Sequence, residues 1–268
     1  MGLTQEQLDR SAALEQHQLR MQRMQRMSPG QLHVLLAGDQ AEALEWVRSA
    51  AELGVAAAQV RLGRMLLEGL GQPRDARAAF LWFMRAAKRN DAEAMNMVGR
   101  CHELGWGVPI NLSQAAVYYR SSADIGYDWG QYNFANLLFD GRGVIRDLRH
   151  AFIWFLRAAI QGHSRAMNLL ARCLEEGWGC ARSAEEAAEW FRRAAEAGYF
   201  RAQYNHALGL LRQRERKAAE SWLWIAALNG DANIRRTITR LLRQLNAESL
   251  NGLASKVGRL NGMKDCNT

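Results

Sequence analysis

The chain has 268 residues, 49% of them hydrophobic and only 3 of them proline, and carries a formal net charge of +8. No run approaches the ~18 consecutive apolar residues of a membrane span, and the opening MGLTQEQLDRSAALEQ is polar where a secretory leader is apolar, so no membrane-spanning helix and a cytoplasmic protein are expected. The charge is uneven: residues 201–268 hold 12 Arg/Lys against 5 Asp/Glu, an end that suits an acidic protein, nucleic acid or anionic lipid unless its arginines simply form a solvated helix face.

In chain order, Thr4 and Gln7 form a capping box that opens a polar helix over residues 1–27, with Leu8, Leu19, Met21 and Met24 as its apolar points. This helix is predicted to cap the amino-terminal end. Ser28 as N-cap, Pro29 at the first helical position and Gln31 mark a second start, and Asp39 with Glu42 a third. Residues 28–54 thus read as a degenerate first repeat.

From there a block recurs. Trp46, Trp82, Tyr118, Trp154 and Trp190 are each 36 residues apart, and Trp222 follows after 32. A period of this size predicts a solenoid. Each aromatic is followed by a small pair, such as Ala50/Ala51 or Ala158/Ala159, and then by Gly54, Gly126, Gly162, Gly198 or Gly230, with Asn90 the one departure. Gly and Asn enter the left-handed conformation cheaply, so this position is predicted to stop a helix. A second apolar-periodic stretch follows, with Gly63, Gly99, Ala135, Ala171 or Ala207 where two helices cross closely, and ends in a Gly-x-Gly turn at Gly69/Gly71, Gly105/Gly107, Gly141/Gly143 and Gly177/Gly179. Each block is therefore a helix-turn-helix. Blocks two and four share Met95/Met167, Arg100/Arg172 and Trp106/Trp178, and blocks three and five share Gln131/Gln203, Tyr132/Tyr204 and Asn133/Asn205, each pair 72 apart, as duplication of a two-block unit would leave them.

The pattern of Ala202 to Leu211, Gly141 to Val144 and Ala151 to Gly162 resembles the Sel1-like repeats, relatives of the tetratricopeptide repeats, over roughly residues 28–245. The resemblance implies an all-α superhelical solenoid of about six repeats. It also implies an adaptor for another protein, often in bacterial signalling, envelope or host-interaction systems. Residues 28–245 are then the solenoid. Residues 246–268 are a carboxy-terminal capping helix opened by Asn246, carrying Leu250, Leu253, Val257 and Leu260 and fraying from 263.

If the crossing resembles that of tetratricopeptide repeats, the second helix of each block lines the concave surface. Counting back six and three from the small crossing residue, and forward one, selects Ala57, Val60 and Arg64; Glu93, Asn96 and Arg100; Trp129, Tyr132 and Asn136; Arg165, Asn168 and Arg172; and Arg201, Tyr204 and Leu208. Asparagine amides offer donor and acceptor to a peptide backbone, arginine forks grip carboxylates, and Trp129, Tyr132 and Tyr204 give flat apolar area. The expected partner-binding set is Asn96, Arg100, Trp129, Tyr132, Asn136, Arg165, Asn168, Arg172, Arg201 and Tyr204. An acidic or carboxy-terminal peptide held by Arg100 and Arg172 is the expected ligand, against the plainer reading that these side chains satisfy one another or water. Trp106 and Trp178, inside their Gly-x-Gly turns, are either exposed anchors or rings folded over their own helix ends, and the second is expected. Of Trp222 and Trp224, one is expected to pack inward.

Catalysis is not expected. The six histidines, among them His102 at a register that elsewhere holds Leu66, Leu138, Leu174 and Leu210, lack a recurring acid or nucleophile, and no phosphate-binding loop follows a strand. The four cysteines, Cys101, Cys173, Cys180 and Cys266, form no regular framework and read as small buried hydrophobes, Cys101 and Cys173 lying two repeats apart, too far to share a metal. No cofactor is implied. Binding of nucleic acid or anionic membrane by the basic carboxy-terminal end is the second function expected.

Overall fold

The computed structural model describes residues 40–245 and 248–264, with isolated helical positions between 12 and 26. The predicted starts at Thr4 and Ser28 and the cap at Asn246 lie outside the described residues. The helices are α1 (Gln40–Glu52), α2 (Ala56–Glu68), α3 (Ala76–Ala87), α4 (Ala92–Leu104), α5 (Leu112–Asp124), α6 (Asp128–Asp140), α7 (Leu148–Ile160), α8 (Ser164–Glu176), α9 (Ala184–Glu196), α10 (Phe200–Arg212), α11 (Arg216–Asn229), α12 (Ala232–Leu245) and α13 (Glu248–Lys264). They form an all-α solenoid of helix-turn-helix repeats, without strands among the described residues. The chain divides into two compact units, residues 1–130 and 131–268.

Local chemistry sets each boundary. The stop residues Gly54, Gly126, Gly162 and Gly198 have φ between 86° and 101°, and Asn90 shares the conformation at φ 60°. The residue after the stop returns its N–H to the first of the small pair, Val55 to Ala50 at 3.1 Å and His163 to Ala158 at 3.1 Å. All eight turn glycines are likewise left-handed. There the N–H of the residue between the glycines closes on a carbonyl of the last helical turn, as from Leu70 to Met65 at 3.0 Å and Trp178 to Cys173 at 2.9 Å. Asp75, Asn111, Asp147 and Ser183 then cap the next helix, each accepting from a backbone N–H three residues on. Arg74, Arg146 and Arg182 donate Nε to the carbonyls of Leu67, Phe139 and Glu175, so these arginines close helix ends.

Gly230 departs from expectation: at φ −91° and ψ 172° it is extended rather than left-handed. Arg235, only 4% exposed, explains this, because it donates Nη1 to the Gly230 carbonyl at 2.7 Å and closes the end of α11 itself. Arg235 is accordingly structural and is not part of a solvated helix face. A side chain at 230 would also strike Ile234 and the Ala226 carbonyl. Just before α11 the Gly-x-Gly turn is missing, and exposed Arg214 takes the left-handed place at φ 65°. A side chain in that region costs about 1–2 kcal/mol. After the entropy of glycine is set against it, Arg214→Gly should raise stability by about 0.5–1 kcal/mol, read as a shifted denaturant midpoint.

Beyond Trp46, which is 4% exposed, the core aromatics of the following repeats are not the ones that mark the period. Phe83, Tyr119 and Phe155 are 0 to 1% exposed and Phe191 is 6% exposed, whereas Trp82, Trp154 and Trp190 are half-buried beneath Arg85, Arg157 and Arg193, whose guanidinium carbons lie 4.3, 4.5 and 5.0 Å from the ring centres. Likewise Leu223 is fully buried while Trp222 and Trp224, one of which was expected inside, both stay half-buried. The small pairs fill the space between helices, with Ala50, Ala86, Ser122, Ala158, Ala194 and Ala226 at 4% exposure or less.

One register of the 72-residue period is a buried glutamine. Gln59 and Gln203 are buried and donate Nε2 to the carbonyls of Ala51 and Ala195 at 3.0 and 3.2 Å, and Gln131 and Gln203 accept from Gln161 and Asn229 of the following helix pair. A buried amide so used pins one repeat to the next. At the far end α13 packs on α11 and α12, with Val257 fully buried beside Ile238 and Leu242.

Candidate functional site

Within the second unit, α8, α10 and α12 present a row of polar and aromatic side chains. A groove of about 470 Å³ lies among Tyr132, Asn136, Asn168, Leu169, Arg172, Tyr199, Phe200, Arg201, Tyr204, Asn205 and, from α12 and the turn before it, Asp231, Asn233, Ile234 and Thr237. Six of the ten residues selected by register meet here: Tyr132, Asn136, Asn168, Arg172, Arg201 and Tyr204. Arg165, exposed on the first turn of α8, is near enough to Tyr199 to act on its charge.

Each side chain is held. Tyr132 stacks on His163, centroids 4.7 Å apart, and the His163 ring accepts the Ala166 N–H to cap α8. Asn136 donates to the Tyr132 carbonyl at 2.8 Å. Asn168 is 5% exposed and accepts from Asn205 of α10 at 2.9 Å. Arg172 lies exposed over Trp178, 5.0 Å from the ring centre, and Arg201 over Phe200 at 5.8 Å. Burial pushes the Tyr199 and Tyr204 phenols above their ordinary range, with Arg201 and Arg165 opposing the shift at Tyr199. Both are thus neutral hydroxyl groups at pH 7. Charges along the groove favour an anion, Arg172 and Arg201 against Asp231.

The other three selected residues belong to the first unit. Asn96 is 4% exposed, which withdraws it from any peptide. Arg100 packs on Trp106, 4.8 Å from the ring centre. Trp129 is 38% exposed in the first turn of α6. Arg100 and Arg172 thus have the same local setting, a guanidinium over the tryptophan of its own turn, but only Arg172 lines the groove. Both tryptophans fold onto their own repeats, with Trp178 also edge-on to Phe139 at 5.2 Å.

Sequence reasoning missed the α12 side. The register count ends at the shortened step of 32, although the same count with that step reaches Asn233. Tyr199 and Phe200 flank the helix start outside the register that was counted; Tyr199 repeats Tyr127 at 72 residues, a signal that was there to be read, whereas Phe200 has no such counterpart. Elsewhere, Cys101 and Cys173 are buried, with burial pushing their thiols up to about 12, and His102 is half-buried between Phe80 and Tyr118 with its pKa lowered by desolvation. Among the described residues no cluster of His, Cys, Asp or Glu has the arrangement of a metal site, and no helix is long and apolar enough to cross a membrane.

Paired helices repeating every 36 residues, with left-handed stops at both turns, define a helical-repeat protein of the tetratricopeptide-like class. The family model of the Sel1 repeat matches residues 32–55, 56–91, 92–127, 130–163 and 164–199, and the chain belongs to that family. It is similar to a Sel1 repeat protein from Oxalobacter formigenes, 26% identical, with 84% of this chain and 97% of that one covered and a TM-score of 0.73. It is also similar to a protective antigen of uropathogenic Escherichia coli displaying an SLR fold, 30% identical, TM-score 0.69, over 88% of this chain and 52% of that one. The chain thus spans about half the length of the antigen. An immunity protein from Pseudomonas aeruginosa, 17% identical with a TM-score of 0.53 over 80% of this chain and 83% of its own, shares the fold. No curated protein matches the chain. Repeats of this family generally serve as scaffolds for protein–protein interaction.

Proposed function

We propose that this protein is a non-enzymatic adaptor, working in the bacterial cytoplasm in regulation or signalling, that holds an acidic or carboxy-terminal peptide segment of a partner protein in the groove along α8, α10 and α12. The observation that carries this reading is the convergence of Arg172 and Arg201 with Tyr132, Tyr199 and Tyr204 along one open groove. Arginine forks take carboxylates bidentately, while rigid tyrosines supply contact area at low entropic cost. Asn205 and Asn233 offer amides to a peptide backbone. The arginine pair is therefore Arg172 with Arg201, in place of the Arg100 and Arg172 expected from register alone.

The test is capture of partners from the native cell with the wild-type chain and with Arg172→Glu/Arg201→Glu, followed by affinity measurement on the captured protein. Loss of two charge-assisted pairs at ~1.5–3 kcal/mol each should weaken binding at least tenfold. Undiminished affinity ends the groove reading.

A second reading has its own observation. Arg236, Arg240 and Arg243 of α12 surround an open recess of about 630 Å³ with Thr239, Gln244 and Gly258. Such a cationic strip suits phosphate of nucleic acid or anionic lipid. It separates from the first by salt: log affinity for DNA falls with log salt by ~0.9 per phosphate neutralised, whereas groove binding, with two arginine–carboxylate pairs among aromatic and amide contacts, falls less steeply.

A further inference from the structure

The fifth repeat lacks a side chain that the others possess. One register of the second helix is filled by Met65, Cys101, Leu137 and Cys173, all 6% exposed or less, and at this register the fifth repeat has Gly209. A Cβ added there would meet nothing within 4 Å. The same repeat has lost its Gly-x-Gly turn. In the second and fourth repeats that turn seats Gly107 and Gly179 so tightly on the carbonyls of Ala76 and Leu148 that no side chain would fit. In the fifth, Gln213, Arg214 and Glu215 lead directly into α11 and leave the start of α9 uncovered.

The two omissions coincide in one recess of about 120 Å³ between α9 and α10. Ala187 and Phe191 of α9 and Asn205, His206 and Gly209 of α10 line it. A cavity of ~150 Å³ lined by aliphatic and aromatic groups takes up benzene, so this one has room for a single aliphatic side chain. Glu175 and Arg212, paired at 2.8 Å, stand at its rim, an acceptor and a donor for the peptide units on either side of a seated residue. Asn205 lines both this recess and the peptide groove, so the two lie next to each other along α10.

We propose that the recess at Gly209 is the anchor pocket for one leucine or methionine of the bound partner segment, which supplies in trans the side chain that Leu137 and Met65 supply in the complete repeats. The assignment deepens the groove reading and rests on it for the course of the peptide, but the pocket itself is tested alone. In ¹⁵N-labelled full-length protein, N-acetyl-leucine methylamide should give saturable shifts confined to amides of residues 184–191 and 205–213. N-acetyl-alanine methylamide should bind at least tenfold more weakly. Gly209→Leu should abolish the shifts and raise the melting temperature by about 3–8 °C as it fills the recess. Gly209→Met serves if leucine fails to fold. Tyr204→Ala, which lies in the groove and outside the recess, should leave the shifts intact, so failure of the groove does not imitate failure of the pocket. No saturable shift in the wild type, or the same shifts in Gly209→Leu and Gly209→Met, would overturn the assignment.

Discussion

Phe155→Ala should cost about 3–5 kcal/mol of unfolding free energy, and Trp154→Ala, at the position that defines the repeat, clearly less. Phe155 is 1% exposed and touches the rings of Tyr132 and Phe139, each with centroids 6.3 Å away. Its removal opens a cavity where α7 packs on α6. Trp154 is half-buried, edge-on to Phe134 at 5.9 Å and covered by Arg157, so truncation there exposes surface to water and leaves little void. Chemical denaturation of the two variants checks the order. Equal losses, or a larger loss at Trp154, would mean that the buried seam runs through the tryptophans.

Gly99→Ala is expected to destabilise by about 1–3 kcal/mol even though alanine is the better helix former by ~1 kcal/mol. A Cβ at Gly99 would lie 2.6 Å from Tyr119 Cδ1. That ring cannot yield, since Tyr119 is fully buried and its hydroxyl donates to Glu103 Oε2 at 2.6 Å. Alanine occupies the same register at Ala135, Ala171 and Ala207, each 0% exposed, so the constraint comes from the closeness of this crossing and not from the repeat pattern. The companion Gly99→Ala/Tyr119→Leu, which copies the pairing of Ala207 with Leu223 in the last repeats, should recover part of the loss. A wild-type midpoint for Gly99→Ala would show that α4 and α5 are not held at this distance.

What the chain discloses before any coordinates are known follows from which physical constraints are local. Left-handed stops depend on one residue each, so the glycines and Asn90 were legible, and Gly230 was misread because its helix end is closed by Arg235 from five residues away. Periodicity locates the helices but not their depth. Trp154 and Phe155 are adjacent on one helix and both apolar, and only the neighbouring helix decides which is innermost. The N-caps escaped notice because Asp75, Asn111, Asp147 and Ser183 share a chemistry and not an identity. At the groove, counting by register found the residues on α6, α8 and α10. It did not foresee that Asn168 is buried and bonded to Asn205, nor that the first unit withdraws Asn96 and Arg100 into its own contacts, because these are decided between helices. The recess at Gly209 is visible in the sequence only once Met65, Cys101, Leu137 and Cys173 are known to be core.

The most direct measurement of the central claim places a photo-reactive benzoylphenylalanine at Tyr204 in the groove, and in separate chains at Leu81 and Ile160, which are 54% and 70% exposed on the first helices of their repeats, before irradiation in the native cell. The account predicts a discrete protein adduct from position 204, lost in Arg172→Glu/Arg201→Glu, and none from 81 or 160. An adduct formed at 81 or 160 and not at 204 would contradict it.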